Sequence, residues 1–181
     1  QSAGFSIVSY TGTGSSASVG HGLNAEPHLI ITKNRDSSSY GWYTYAKAIG
    51  NTKYLTLEQT SAAATFNLWQ DTTATSSVFY LSSNAAVMNS GDNYVAYCIS
   101  PVAGYSAIGS YTANGSSDGP FVHTGFAVAW LMTKRTNSTG SWEIHDLRRP
   151  GYNPQDERLL ADGANAEASG NDVDFLSNGF K

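Results

Sequence analysis

Tyr94-Val95-Ala96-Tyr97-Cys98-Ile99 carries apolar side chains at both odd and even positions. A strand sends successive side chains to opposite faces, so this run predicts a central strand covered on both sides. Shorter runs of the same kind lie to either side of it, bounded by Gly, Ser, Asn and Asp. They are Phe5 to Tyr10, Leu29 to Lys33, Gly41 to Tyr45, Tyr54 to Leu57, Thr65 to Trp69, Val78 to Leu81, Ala107 to Tyr111, Val128 to Thr133 and Trp142 to Asp146. Together with Tyr94 to Ser100 they predict an all-β protein, a sandwich or barrel of short strands. Helical periodicity is weak. The best helical candidates are Gln155 to Ala161, with Asp156 and Glu157 in a first turn, and the Ala-rich Gln59 to Ala64.

The central run also separates two copies of one pattern. Ser9-Tyr10-Thr11 and Gly14-Ser15-Ser16 return 101 positions later as Ser110-Tyr111-Thr112 and Gly115-Ser116-Ser117. Thr32-Lys33 returns as Thr133-Lys134, and Trp42 as Trp142. A kept period defines the unit of architecture, here half of a domain. The expectation is one β-sandwich domain over 1–181, built from half-repeats 5–100 and 105–181, the second lacking its last strand. After Phe175-Leu176-Ser177, a loose match to Phe79-Tyr80-Leu81, the second copy has no equivalent of Tyr94 to Ile99 before Lys181. A missing core strand leaves an open edge. A neighbouring segment, another protomer or the rest of a longer polypeptide is expected to supply it, or the two copies share one sheet system.

Composition narrows the function classes. Charged residues make up 13% of the chain and the net charge is −4, with no Lys/Arg block, which removes the electrostatic term that nucleic-acid binding depends on. No eighteen-residue apolar stretch occurs, so no membrane insertion is expected. The lone Cys98 cannot form an intrachain disulfide and reads as a small buried hydrophobe. Gln1 in place of Met suggests a processed product or a segment of a longer polypeptide.

Catalysis finds little support. On Trp142-Glu143-Ile144-His145-Asp146, period-two geometry separates Glu143 and His145 from Asp146, so the two carboxylates cannot face one substrate. A glycosidase needs two carboxylates flanking one bond, and neither Glu58 nor Glu26 offers a partner. His21, His28, His123 and His145 lack metal-ligand spacing, so no metal and no cofactor is expected. Asp36, Asp92, Asn93, Asn114 and Asp118 lie in turns that could chelate calcium. Local side chain-to-backbone hydrogen bonding is the simpler account of them.

Binding is better served. Trp42 and Trp142 occupy equivalent positions and are expected to pack inward, which would turn Tyr43 and Tyr45 outward in one copy and Glu143 and His145 outward in the other. Aromatic faces stack on sugars while Asn, Asp and Ser satisfy hydroxyls. The candidate ligand-binding residues are therefore Tyr40, Tyr43, Tyr45, Asn114, Asp118, Glu143 and His145. The same Tyr-rich, Ser/Gly-rich surface also suits a protein partner.

Several strings make a family comparison possible. They are Gly20-His21-Gly22-Leu23, Leu29 to Arg35, Ser76 to Phe79, Asn93 to Cys98, Gly109 to Ser116, Asp118 to Phe126 and Asp174 to Phe180. As a set the sequence resembles a β-rich domain that recurs in large structural proteins of tailed, especially marine, bacteriophages. The resemblance implies a jelly-roll or concanavalin-like sandwich in a tail, fibre or appendage protein, located in the virion or outside the cell. It also implies a further strand, similar to Tyr94 to Ile99, after the position matching Phe180, and it carries over no catalytic residues. The function expected is non-enzymatic: a virion-associated structural or adhesion domain that contacts host-surface glycans, as a homo-oligomer or with other virion proteins. A purely structural or decoration module, and an extracellular bacterial adhesin or carbohydrate-binding module, are the alternatives.

Overall fold

A computed structural model describes residues 4–149 and 153–181. The first half of the chain forms β1 (Phe5–Thr11), β2 (Ala17–Gly20), β3 (Leu29–Asn34), β4 (Trp42–Ala46), β5 (Lys53–Thr56), β6 (Ala64–Thr65), β7 (Val78–Leu81), the single helical turn α1 (Ala85–Met88) and β8 (Asn93–Ile99). The second half forms β9 (Val122–His123), β10 (Trp130–Lys134), β11 (Trp142–Asp146), β12 (Gln155–Leu160), β13 (Ala168–Val173), β14 (Phe175–Leu176) and β15 (Gly179–Phe180). The fold is all-β and sandwich-like, with several antiparallel sheets and no closed barrel.

The central run behaves as its pattern predicts on one face. β8 pairs antiparallel with β1 on one side and β3 on the other. Its Tyr94, Ala96 and Cys98 are 0% exposed, whereas Val95, Tyr97 and Ile99 are half-buried. The six-stranded sheet β1-β8-β3-β4-β5-β6 and the β2-β7 pair enclose the main core between them. Ile30, Tyr45, Ala96 and Cys98 meet Phe79 and Leu81 of β7 there, with Val87 and Met88 of α1 and the loop residues Leu68 and Trp69. Burying each large aliphatic side chain contributes roughly 1.5–3 kcal/mol. In the second half the sheets β10-β11-β12-β13 and β14-β15-β9 form a smaller core around Val128, Phe175 and Phe180.

The duplication is kept in strand register. Lys33 faces Trp42 across β3 and β4, and Lys134 faces Trp142 across β10 and β11. Tyr43 pairs with Thr56 and Glu143 with Leu160; Tyr54 pairs with Ala64 and Arg158 with Ala168. The strands β3 to β6 and β10 to β13 are thus one unit built twice. The second layer repeats as well, since Val19 pairs with Phe79 and Val122 with Phe180. Tyr10 meets Phe79 edge to face, and Tyr111 meets Phe180 in the same way. The counterpart of Phe79 is therefore Phe180, not Phe175 as the sequence match had it.

Other expectations are corrected. The two copies do not share a sheet: each builds its own. Gln155 to Ala161 is not helical but forms β12, because pairing with β11 and β13 on both sides outweighs an acidic start that a helix would also favour. Gln59 to Ala64 is not helical: it is irregular up to β6, with Ala63 N donating to Thr136 O of the second half. Thr65 to Trp69 ends as a strand after Thr65, where the chain turns inward to bury Leu68 and Trp69. Ala107 to Tyr111 is not a strand. In the first half the matching segment β1 is held along its length by β8, and the second half has no such partner among the described residues.

Candidate functional site

A concavity lies where the β3–β4 hairpin meets β5 and the residues after it. Its shape begins with Lys33, whose Nζ donates to the carbonyl oxygens of Asn34 (2.9 Å), Ser37 (3.2 Å) and Tyr40 (2.7 Å). Three charge-assisted bonds from one ammonium gather the turn into a loop with its carbonyls inward. Asn34, 1% exposed, holds the loop from the other end. Its Oδ1 accepts from the backbone N–H of Asp36 and Ser37, and its Nδ2 donates to Asp92 and Tyr94. The Asn34 side-chain amide, with a further one from Asn89, holds the Asp92 carboxyl below the usual carboxylate range.

Gly41 follows the loop, and its identity is explained by the neighbouring chain. A Cβ there would lie 2.0 Å from Glu58 Oε1 and 2.9 Å from Thr56 Cγ2. Without one, the Glu58 carboxylate closes down and its Oε2 accepts from Trp42 N at 2.9 Å. The resulting groove encloses about 550 Å³, lined by Tyr40, Trp42, Tyr43 and Tyr54 with Ser38, Ser39, Glu58 and Gln59 among its polar groups. That volume falls within the range of small-ligand sites. Tyr43 and Tyr54 stand edge to face, ring centres 5.5 Å apart, on diagonal positions of β4 and β5. Burial, together with the neighbouring Tyr54 and Glu58, raises the Tyr43 pKa, so its hydroxyl remains a neutral hydrogen-bonding group at neutral pH.

The second half repeats the frame and changes the lining. Lys134 Nζ donates to the carbonyls of Arg135 (3.1 Å), Gly140 (2.6 Å) and, from the first half, Thr60 (3.0 Å). Asp162 takes the place of Glu58, its Oδ1 accepting from Trp142 N at 2.6 Å. Where the first half has the Tyr43–Tyr54 pair, the second has Glu143 bound to Arg158 Nη1 at 3.0 Å. The aromatic walls are confined to the first half.

The groove brings together Tyr40 and Tyr43 of the expected ligand residues. The others are elsewhere, and the four outward assignments, Tyr43, Tyr45, Glu143 and His145, are reversed. Tyr45, 2% exposed, points into the core against Trp69, and His145, 1% exposed, is buried at the equivalent position. Tyr43 shares that inward face, half-buried against the core. Trp42 is half-exposed on the opposite face, stacked on Tyr97. Trp142 is buried, but against the first half, its Nε1 donating to Thr56 O at 3.0 Å. Period two defines two faces without saying which is inward: the expected burial holds for Trp142, at 4% exposed, and not for Trp42, which is half-buried. Glu143 is tied to Arg158 on the inward face of the sheet.

Asn114 and Asp118 lie in an exposed loop closed by its own bonds. Asn114 Nδ2 donates to Asp118 O and Asp118 N to Ser116 Oγ, while Asp118 pairs with Lys181. This loop reads Gly115-Ser116-Ser117-Asp118-Gly119, the Gly-x-Ser-x-Gly spacing of hydrolase elbows, yet it sits on no strand-to-helix turn. Asp36 accepts from the backbone and side-chain amides of Asn93. His21 is structural: Nδ1 accepts from Leu23 N and Nε2 bonds Thr75 O.

Tyr54 and Gln59 were missed by sequence reasoning. The signal for Tyr54 was available, since a strand paired to β4 places one of its aromatic residues diagonal to Tyr43.

Among comparisons with known proteins, the family model of a domain of unknown function, DUF7483, matches residues 1–181, and the chain belongs to that family. No curated protein and no solved structure matches it.

Proposed function

We propose that this member of the family is a non-enzymatic structural and adhesion domain of a virion appendage such as a tail fibre, and that its first-half groove contacts host-surface glycan. The observation that carries the glycan contact is the lining itself: the Tyr40, Tyr43 and Tyr54 rings around hydroxyls, a carboxylate and an amide. Aromatic faces take the apolar side of a sugar ring, and the Ser38, Ser39, Glu58 and Gln59 side chains take its hydroxyls. The virion setting rests on the resemblance of the strings from Gly20 to Phe180. Support for a non-enzymatic role comes from the strand that looked most like an acid/base cluster, where Glu143 is bound to Arg158 and His145 is buried.

Glycan-array and host-cell binding of the purified domain test this reading. Tyr40→Ala and Tyr54→Ala should each weaken glycan binding at least tenfold with an unchanged circular dichroism spectrum, while Tyr105→Ala, at a fully separate exposed site, should not. A wild-type domain that binds neither glycans nor cells would sink the adhesion reading. A module that makes only protein–protein contacts would then stand, a role favoured by Phe5 and Ile7, which are 40% and 60% exposed on β1.

A further inference from the structure

The two halves match strand for strand until the position of β8. In the first half β8 lies between β1 and β3, and its inward side chains complete the core. In the second half the strand equivalent to β3 is β10, which stands at the edge of its sheet, with no described strand paired to its outer side.

The consequences appear at matching residues. Ile30, Thr32 and Asn34 of the first half are 1%, 0% and 1% exposed, because β8 covers that edge. Their counterparts Leu131 and Thr133 are only half-buried, and Arg135 is exposed. Trp130, the counterpart of half-buried Leu29, is 54% exposed, and Tyr111, the counterpart of Tyr10, is 50% exposed. Among the described residues the first core holds thirteen buried residues, Ala96 and Cys98 among them, and the second holds three. β10 also lacks the devices that normally blunt an edge. It reads Trp130-Leu131-Met132-Thr133-Lys134, with no proline, no bulge and no inward charge, and its one cation is bound into the β10–β11 turn.

We infer that the outer edge of β10 is an acceptor for an extended strand with the inward pattern of β8, added antiparallel in the register that β8 takes on β3. Carried over from that register, the incoming residues face Leu131, Thr133 and Arg135 as Cys98, Ala96 and Tyr94 face Ile30, Thr32 and Asn34. The strand must therefore present small or apolar side chains at alternate positions, of the Tyr-x-Ala-x-Cys kind. Main-chain bonds supply its affinity and the inward side chains its selectivity, as in other strand additions. A second copy of this chain is a poor donor. Its own strand with this pattern, Asn93–Ile99, is locked between β1 and β3 and would have to leave a closed core. This edge lies outside the glycan groove, and its role does not depend on that reading.

The test uses the intact chain and a synthetic peptide with the sequence of residues 90–100, followed by amide hydrogen exchange and tryptophan fluorescence. Peptide binding should slow exchange at alternate amides of β10 at least tenfold and shift the emission of Trp130 to the blue. A peptide carrying Ala96→Asp should lose binding, because that side chain faces inward, while one carrying Val95→Asp should keep it. Thr133→Asp in the protein should abolish binding, and Trp130→Phe should retain it and identify the emitting residue. No protection at β10 up to millimolar peptide, or equal binding of both aspartate peptides, would overturn the inference. So would protection of the same amides in the free chain that grows with its concentration, since the edge would then belong to a second copy.

Discussion

His145 sits at 1% exposure on the inward face of β11, where burial depresses its pKa below the ordinary histidine value and the neighbouring Arg158 acts in the same direction. The opposing influences, Glu143 and a hydrogen bond with the Glu157 backbone, do not reverse the shift. An unfolded histidine titrates near about 6.5, so as pH falls below that value the unfolded chain takes up the proton first and the folded state loses stability. Stability from this residue is complete above that pH and declines through the window down to the folded pKa. The urea midpoint should drop between pH 7.5 and 5.5, and His145→Gln should show a smaller drop; an equal drop in the variant would remove His145 as the cause. The same residue shows where the sequence stopped being legible. Alternation identified Glu143 and His145 as sharing a face, and that is correct. Which face was inward depended on what lies above the sheet, and no local pattern encodes that. Tyr40 was legible as a loop aromatic, whereas Tyr54 and Gln59 needed the pairing of β5 with β4 to come into view.

At the level of elements, the two hairpins are held by the same device, a lysine at the end of the first strand bonded to carbonyls of its own turn. Lys134 spans two elements of different halves, since Thr60 O is one of its acceptors. Burial lowers its pKa, with Asp162 acting to raise it. Replacing Lys134 with Met removes three bonds but leaves the carbonyls within reach of water, so a loss of roughly 1–3 kcal/mol is expected from chemical denaturation. A Met variant with unchanged stability would mean that the bonds only mirror a turn set by other forces. Val78–Leu81 and Trp142–Asp146 coincide with their sequence readings, because an unbroken apolar run in the first, alternation in the second and turn residues at their ends mark them. β9, β14 and β15 are two residues each, too short to carry any period. β12 was misread for the opposite reason: its charges, Asp156, Glu157 and Arg158, fit a helix start as well as an ion-paired strand.

Across the whole molecule, the halves meet through main-chain, indole and lysine ammonium hydrogen bonds. Ala63 N donates to Thr136 O, Gly140 N to Thr60 O, and Trp142 Nε1 to Thr56 O. Trp142→Phe keeps a ring in the seam but removes one of two donors to the buried Thr56 carbonyl, Gln59 N remaining at 3.2 Å, at a cost of roughly 0.5–1.5 kcal/mol. A thermal or urea midpoint equal to wild type would show that this bond contributes nothing. The duplication was legible because the period survives in Tyr, Thr, Lys and Trp at fixed spacing. That each copy closes its own sheet was not, since strand pairing is a long-range property that spacing alone leaves open. The lysine pins have one more consequence for the molecule as a whole. Each reads only carbonyl oxygens, which every residue type supplies, so exposed side chains of the two tips, such as Ser38, Ser39 and Thr139, can be rewritten without dismantling their mounts. The chain thus carries two independently mutable tips on one unchanging chassis, an arrangement open to diversification at either tip while the other is preserved.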